Sequence, residues 1–423
     1  MLTRRSQQRR VATVVASFLL FFMAGGAAAA ETVTLRWATW GPPLVDQQLI
    51  EAFEATHPNI RIEYIGSSYG EHHGKLKVLA ASGVPVDVFA VDGYYTVEFV
   101  AANMLLRIDE LMARDGEFKM EDYFPPALLD VQVRGATYGL PYISAPQYMI
   151  YNVSHFKEAG LPIPDPHWDR ETFAEYARKL TRFEGGQTIR YGTHHYIGWG
   201  TFWHWIWSAG GRVVDENHRR FLLTEPEAVD ALEFLNTLRR QGISGPGNFA
   251  AETASISQTY PAGFPSVSGV EWPFEWDVIL WPAGPGGQYS IWKGNVMAIN
   301  PATEHLEEAW TFLKFLLGPN SPGTEIYVRN KRFPPSTRDV DLWNVFHNPG
   351  DDPRSLREIT LLLASGHGRP LPHLLQWDAV VVNTIQPALA QIESGQLPPR
   401  LAMEQIREAV ERLLEDEPVY ESP

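Results

Sequence analysis

The sequence predicts an α/β protein built as two lobes, the first of them doubly wound. Three observations lead there. Over residues 32–91, strand-like alternation and helix-like periodicity take turns without interruption. The 423-residue chain is too long for one ordinary core. Its composition, 44% hydrophobic and 20% charged with no cysteine, is that of a packed protein held by core burial alone.

The chain opens on a segment outside the fold. Residues 1–10 carry four arginines and no acid, 11–23 form an apolar run, and 25–30 are small residues ending in an A-x-A-like site before Glu31. That order is the order of a secretory signal cleaved near Ala30. Arg4-Arg5 follows Thr3 as in a twin-arginine signal, but Ser6-Gln7-Gln8 lacks the apolar residues that usually follow, so general export is the reading. Cleavage would take the net charge from −15 to −19, a sign that repels nucleic acid and anionic membranes. No later segment has the roughly 18 unbroken apolar residues of a membrane span.

Residues 32–40 then alternate Val33, Leu35, Trp37 and Thr39 against Thr34, Arg36 and Ala38 as a strand, which Gly41-Pro42-Pro43 ends. Val45, Leu49, Ala52 and Phe53 fall at helical spacing up to His57-Pro58-Asn59. Ile60, Ile62 and Tyr64 alternate again, and a helix through Leu76, Leu79 and Ala80 follows. Residues 86–91 are apolar enough for a strand buried on both faces. This sequence of elements implies a parallel sheet covered by helices on both sides. Residues 139–152 are apolar and β-rich, interrupted by Pro141 and Pro146. Helices are expected over 171–181, 226–241, 304–317, 377–392 and 401–414, and a strand over 289–300. Residues 242–269, rich in Gly, Pro and Ser, read as a long irregular connection.

The reactive motifs are mostly missing. No lysine is followed by Ser or Thr, Gly198-Trp199-Gly200 lacks a third glycine, and there is neither a G-x-S-x-G elbow nor H-E-x-x-H. His72-His73 and His194-His195 are adjacent residues whose side chains diverge, which suits hydrogen bonding better than a metal. No cofactor is implied. The positive signal is aromatic. Tyr196, Trp199, Phe202, Trp203, Trp205 and Trp207 crowd together, followed by Trp272, Phe274, Trp276 and Trp281, by Tyr289 and Trp292, and by Trp377 alone. Most of these are packing residues. A helix over 201–209 cannot bury Trp203, Trp205 and Trp207 on one face, because i and i+2 lie about 200° apart, so at least one ring should face a cleft or solvent. Flat rings beside acids and amides suit sugars, which offer C–H faces for stacking and hydroxyl rims for paired hydrogen bonds. The polar partners are Asp92, Gln147, Glu271, Glu275 and Arg369, with Asp92 foremost because it directly follows a buried parallel strand.

Seven short stretches then add up. They are Trp37-Ala38-Thr39-Trp40-Gly41, the run from Phe53-Glu54-Ala55-Thr56 through His57-Pro58-Asn59-Ile60, and Val86-Asp87-Val88-Phe89. Next come 141–152 leading into Phe156-Lys157-Glu158-Ala159-Gly160, then Ser208-Ala209-Gly210-Gly211, residues 309–315, and Ser394-Gly395-Gln396. In this order they resemble the extracellular solute-binding proteins of sugar ABC transporters, the maltose-binding-protein-like group.

The resemblance implies a periplasmic-binding-protein fold: two α/β lobes, each a sheet flanked by helices, joined by a multi-segment hinge. Crossings are expected near Ser144, Ser290 and Arg332, giving one lobe of 31–144 with 291–332 and another of 145–290 with 333–423. It places at the cleft Trp40, Asp92, Tyr94 and Tyr95, then Gln147 beside Ala145, Trp199 and Trp203, Glu271 and Trp272, Trp292 and Gly294, and Arg369 and Trp377. Ala145 stands where the maltose binder carries a carboxylate. The implied function is non-enzymatic capture of a neutral di- or oligosaccharide for membrane permease subunits. The protein would be a periplasmic monomer without stable membrane insertion, nucleic-acid binding or, lacking cysteine, a lipid anchor. Two alternatives stay open. One is a glycerol phosphodiester or other phosphorylated ligand held by Arg329, Lys331 and Arg332. The other is an exported glycoside hydrolase using Glu271 and Glu275.

Overall fold

The computed structural model describes residues 32–40, 43–84, 86–194, 197–198, 200–268, 270–331, 333–347 and 353–417. The expected signal peptide, Trp199 and Arg332 lie outside them.

β1 (Val33–Trp40), β2 (Ile60–Ser67) and β3 (Val88–Asp92) form the parallel ladder that the alternation predicts. β1 is the middle strand, with Trp37 opposite both Tyr64 and Val88. The intervening helix Pro43–Thr56 buries Val45, Leu49, Ile50 and Phe53, the face its spacing indicated. A small hairpin, β4 (Gln132–Val133) and β5 (Ala136–Thr137), precedes β6 (Leu140–Pro146) and β7 (Tyr148–Asn152). β6 belongs to the first sheet and β7 to the second, so the chain changes sheets at Gln147.

The second sheet gathers β8 (Arg182–Glu184), β9 (Gln187–His194), β10 (Ser244–Gly245), β11 (Ala254–Thr259) and β12 (Trp276–Ile279). Its order is β10-β9-β11-β7-β12, with β8 alongside β9. The chain returns as β13 (Ser290–Ile299), antiparallel to both β3 and β6, and β14 (Gly368–Arg369) joins the start of β13 in parallel. The result is two helix-flanked sheets, the two-lobed α/β architecture expected.

Two expectations need correction. The connection over 242–269 contains β10 and β11, and β11 lies between β9 and β7. Its sequence, Ala-Ser-Ile-Ser-Gln-Thr, shows little apolar alternation because its first four residues are buried on both faces, where small side chains fit. The helix expected over 377–392 is a wide π-turned stretch, Asp378–Ile385, running into Gln386–Glu393. Pro387 lacks an N–H and crowds the carbonyl four residues back, which favours the wider turn. Helix Phe202–Ser208 is buried on every side, and of its three tryptophans Trp203 and Trp207 border a cavity, as the spacing required. Trp205 packs against Phe173 (5.0 Å) and Phe234 (5.4 Å), while Trp203 and Trp207 turn the other way.

Close backbone approach fixes one position in the second sheet. A Cβ at Gly192 on β9 would lie 1.8 Å from the carbonyl oxygen of Ala177 in helix Arg170–Leu180. Gly192→Ala is therefore expected to lower stability by about 3 kcal/mol, measured by urea unfolding, with an unchanged midpoint as the contrary result.

Candidate functional site

β3 ends in Asp92, whose carboxylate is completely buried. Burial alone would raise its pKa, but Lys293 of β13 sits with Nζ 2.8 Å from Oδ1 and holds the carboxyl below its ordinary value. Asn295 donates to the same oxygen, and the Tyr94 hydroxyl donates to Oδ2 (2.8 Å). Asp92's own N–H donates to His73 Nε2 (3.0 Å). Desolvation pushes that imidazole down to about 3, so it is a neutral acceptor, and Lys293 is the counter-charge. Lys293 also donates to the Tyr69 hydroxyl (2.6 Å), which meets the Tyr94 hydroxyl at 2.8 Å. Trp40 closes the group, its ring 5.8 Å from Tyr69 and 5.6 Å from His73.

Beside this polar nest stands a ladder of rings. Tyr94 stacks on Trp377 (4.4 Å, 29°), and Trp377 lies nearly parallel to Trp203 (6.1 Å, 16°). Tyr94 follows a strand of the first sheet. Trp203 and Trp377 belong to the helices packed around Pro226–Arg240, which touches β10 of the second. The ladder therefore links the end of a first-sheet strand to helices packed on the second sheet. Tyr95 reinforces it by donating to Asp378, whose carboxylate lies 3.6 Å from Lys77. Trp203 then borders a cavity of ≈ 250 Å³ lined also by Trp207, Arg212, His218, Arg369 and Leu371. Arg369 lies flat on Tyr289, its guanidinium carbon 3.3 Å from the ring centroid. The buried polar atoms without a hydrogen-bond partner among the described residues include the Trp203 indole N–H and the hydroxyl of Tyr260 just past β11.

The expected site residues thus divide. Trp40, Asp92, Tyr94, Tyr95, Trp203, Arg369 and Trp377 come together. Gln147 is buried and wholly engaged with the crossing segments. Trp292 and Gly294 lie on the face of β13 opposite Lys293 and Asn295. Trp292 packs there against Phe124 (6.0 Å), and the Gly294 N–H donates to Asp130 Oδ2 (2.7 Å). Gly294 leaves room for that carboxylate, since a Cβ there would lie 2.3 Å from it. Asp130, its pKa raised by burial, also accepts from His373 Nε2 (2.8 Å), four residues before Trp377. Glu271 is exposed, and Trp272 joins a separate aromatic group with Phe249 (5.1 Å) and Trp276 (4.6 Å) on the β12 edge.

Among the described residues, which leave out Arg332, neither alternative set is gathered at this site. Glu275 is exposed and paired with Lys157 (2.5 Å), and Arg329 is exposed and bound to Glu325 (2.9 Å). Among the described residues no three His, Asp or Glu side chains converge as a metal cage. Sequence reading missed Tyr69, His73, Tyr260, Lys293 and Asn295. The last two were legible in principle: on a strand they share the face that pairs with Asp92 in the antiparallel register.

The family model for bacterial extracellular solute-binding proteins matches residues 41–321. The chain belongs to that family. As a solute-binding protein it is similar to a Streptomyces antibioticus protein described as an uncharacterized lipoprotein, 25% identical over 319 residues covering 68% of each chain. It is also 27% identical, over 51% of its own length and 50% of the other's, to the mannitol-binding protein of Pseudomonas aeruginosa. Its fold matches an ABC substrate-binding protein from Listeria monocytogenes solved in complex with cycloalternan. That match has a TM-score of 0.82 and 17% identity, over 91% of this solute-binding protein and 100% of the other chain. No helix among the described residues is long and apolar enough to cross a membrane.

Proposed function

We propose that the protein captures a neutral carbohydrate of two or more rings between its lobes and delivers it, unaltered, to the permease of an ABC importer. The observation that carries this reading is the Tyr94-Trp377-Trp203 ladder set beside the Asp92 group. A sugar ring needs a flat apolar wall and hydrogen-bonding groups at its rim, and these residues supply both. Trp203 would be the shared wall of two subsites, with Arg369 offering its donor fork to hydroxyls of the ring lodged in the 250 Å³ cavity. The unpartnered N–H of Trp203 and hydroxyl of Tyr260 would gain partners from the ligand.

Binding would draw together lobes of 31–144 with 291–332 and 145–290 with 333–423, bending at Gln147 and Ser290. Ligand-driven closure requires only that the closed form bind the sugar better than the open one. The named ligands of the similar proteins, mannitol and cycloalternan, are polyhydroxylated and uncharged, which supports the same class here. The site of action would be the periplasm, with the chain free of a lipid-bearing cysteine because it contains none.

Intrinsic tryptophan fluorescence, titrated with neutral sugars and glycerol phosphodiesters, tests the proposal. The expected result is a saturable change with one neutral di- or oligosaccharide, recovered intact afterwards, with Kd near the micromolar range that about −8 kcal/mol provides. A response confined to phosphorylated compounds, or release of cleaved sugar, would overturn it.

A further inference from the structure

His204 lies one residue from Trp203 in helix Phe202–Ser208 and is 1% exposed. Its ring lies flat on Trp281 (3.7 Å, 5°), in the segment that leads the chain out of the second sheet. Each ring nitrogen meets a different crossing of the chain. The N–H of Ile291, near the start of β13, points at Nδ1 from 3.3 Å. That N–H can only donate, so Nδ1 is the acceptor and the proton resides on Nε2. Nε2 then donates to the side-chain oxygen of Gln147, the residue at which the chain first changes sheets. The remaining Gln147 amide donates to Gln258 Oε1 of β11 at 2.7 Å.

The main chain of Gln147 is equally committed. Its N–H donates to Ile291 O (2.9 Å), and its carbonyl accepts from Trp281 Nε1 (3.3 Å) and from the Ser290 hydroxyl. Two chain crossings and the helix that bears Trp203 are therefore locked to one imidazole. Burial keeps that imidazole neutral, in keeping with one proton shared out along a directional chain.

We infer that His204 is the positioning residue that couples the aromatic wall of the cleft to the hinge. Rotation of one sheet against the other passes through Gln147 and Ser290–Ile291, two places where the sheet membership of the chain changes. A ring fixed to both, in rigid sequence with Trp203, makes the placement of the Trp203 face depend on the hinge angle. Whatever stacks on Trp203 biases that angle in return, because coupling between two sites is reciprocal. For its ligand the inference rests on the carbohydrate reading; for its hinge it does not.

The test uses the full chain carrying a fluorophore pair, one on each lobe, so that the interlobe distance distribution is read without any ligand. His204→Phe keeps the ring on Trp281 and removes both hydrogen bonds. It is expected to broaden that distribution and to weaken the binding of whichever sugar the native protein takes by about tenfold. Trp205→Phe, which keeps a ring against Phe173, Phe234 and Trp281 and leaves both His204 hydrogen bonds in place, should leave both readouts within twofold of the native protein. Gln258→Met removes only the far end of the chain and should act in the same direction more weakly, which keeps the test informative if His204→Phe does not fold. A lowered unfolding temperature with an unchanged interlobe distribution, in either folded variant, would overturn the inference. Should no sugar bind the native protein, the carbohydrate reading fails while the distance measurement still decides the coupling.

Discussion

Lys293→Met is expected to destabilise the folded protein by about 3–5 kcal/mol at neutral pH, the cost of leaving a buried charge without its partner. The remaining contacts of Asp92, from Tyr94, Asn295 and its own N–H to His73, bring no positive charge, because His73 is neutral above about pH 3. The pH dependence identifies the cause. In the native protein burial opposes ionisation of Asp92, yet Lys293 leaves its folded pKa below the unfolded value of about 3.9. That stabilisation is present above the unfolded pKa and lost as pH falls through the lower folded one. In the variant burial acts unopposed and raises the folded pKa. The contribution then reverses: it is present at low pH and lost as pH rises. Urea unfolding at pH 7 and pH 4 should therefore show a deficit that shrinks on acidification. An equal deficit at both would assign the loss to packing of the lysine stem.

Trp377→Ala should affect both stability and binding. The ring is 1% exposed between Tyr94 and Trp203, and a cavity of that size in a core costs about 3–5 kcal/mol. Losing one aromatic face of about 80–100 Å² from a sugar contact is worth about 2 kcal/mol, or about thirtyfold in Kd. Trp377→Phe separates the two effects, since a smaller ring retains a stacking face while still leaving a void. Unfolding midpoints and titration of both variants against the sugar bound by the native protein give the comparison. A Kd unchanged in Trp377→Ala would mean that the ring merely fills the interlobe space.

β1, β2 and the helix between them were readable because their apolar residues recur at a strand or helix period, and β3 because it is an unbroken apolar run, buried on both faces. β11 was not, because burial on both faces by small residues leaves no period to see. Within the candidate site, Asp92 was indicated by its position after a buried strand, and Tyr94, Trp203, Arg369 and Trp377 by motif positions. Lys293 was hidden by distance along the chain: only the register that sets Asn295 against Asp92 reveals that its neighbour reaches the same carboxylate. The placement of Trp292 and Gly294 away from that nest follows from the same register, since alternate residues of β13 face opposite ways. Glu271 and Trp272 lie apart from the Asp92 group for another reason. They precede β12 at the edge of the second sheet, and no local pattern marked which edge would approach the cleft.

The position of β13 also governs how the molecule can be made. Asn295 meets Asp92 across a sequence separation of 203, and the same strand carries β6 on its other side. A chain delivered from its N-terminus presents β1, β2 and β3 long before the strand that fills the gap between β3 and β6 has arrived. Until then the apolar edge Val88–Val91 has no neighbour, and the first lobe has no complete sheet on which to settle. Contacts of such separation slow the search for the native state, because a long loop must close before they contribute. The first sheet therefore closes late, after every strand of the second (148–279) has been delivered, and a fragment ending before Ser290 would hold a β3 edge open to pairing with other chains.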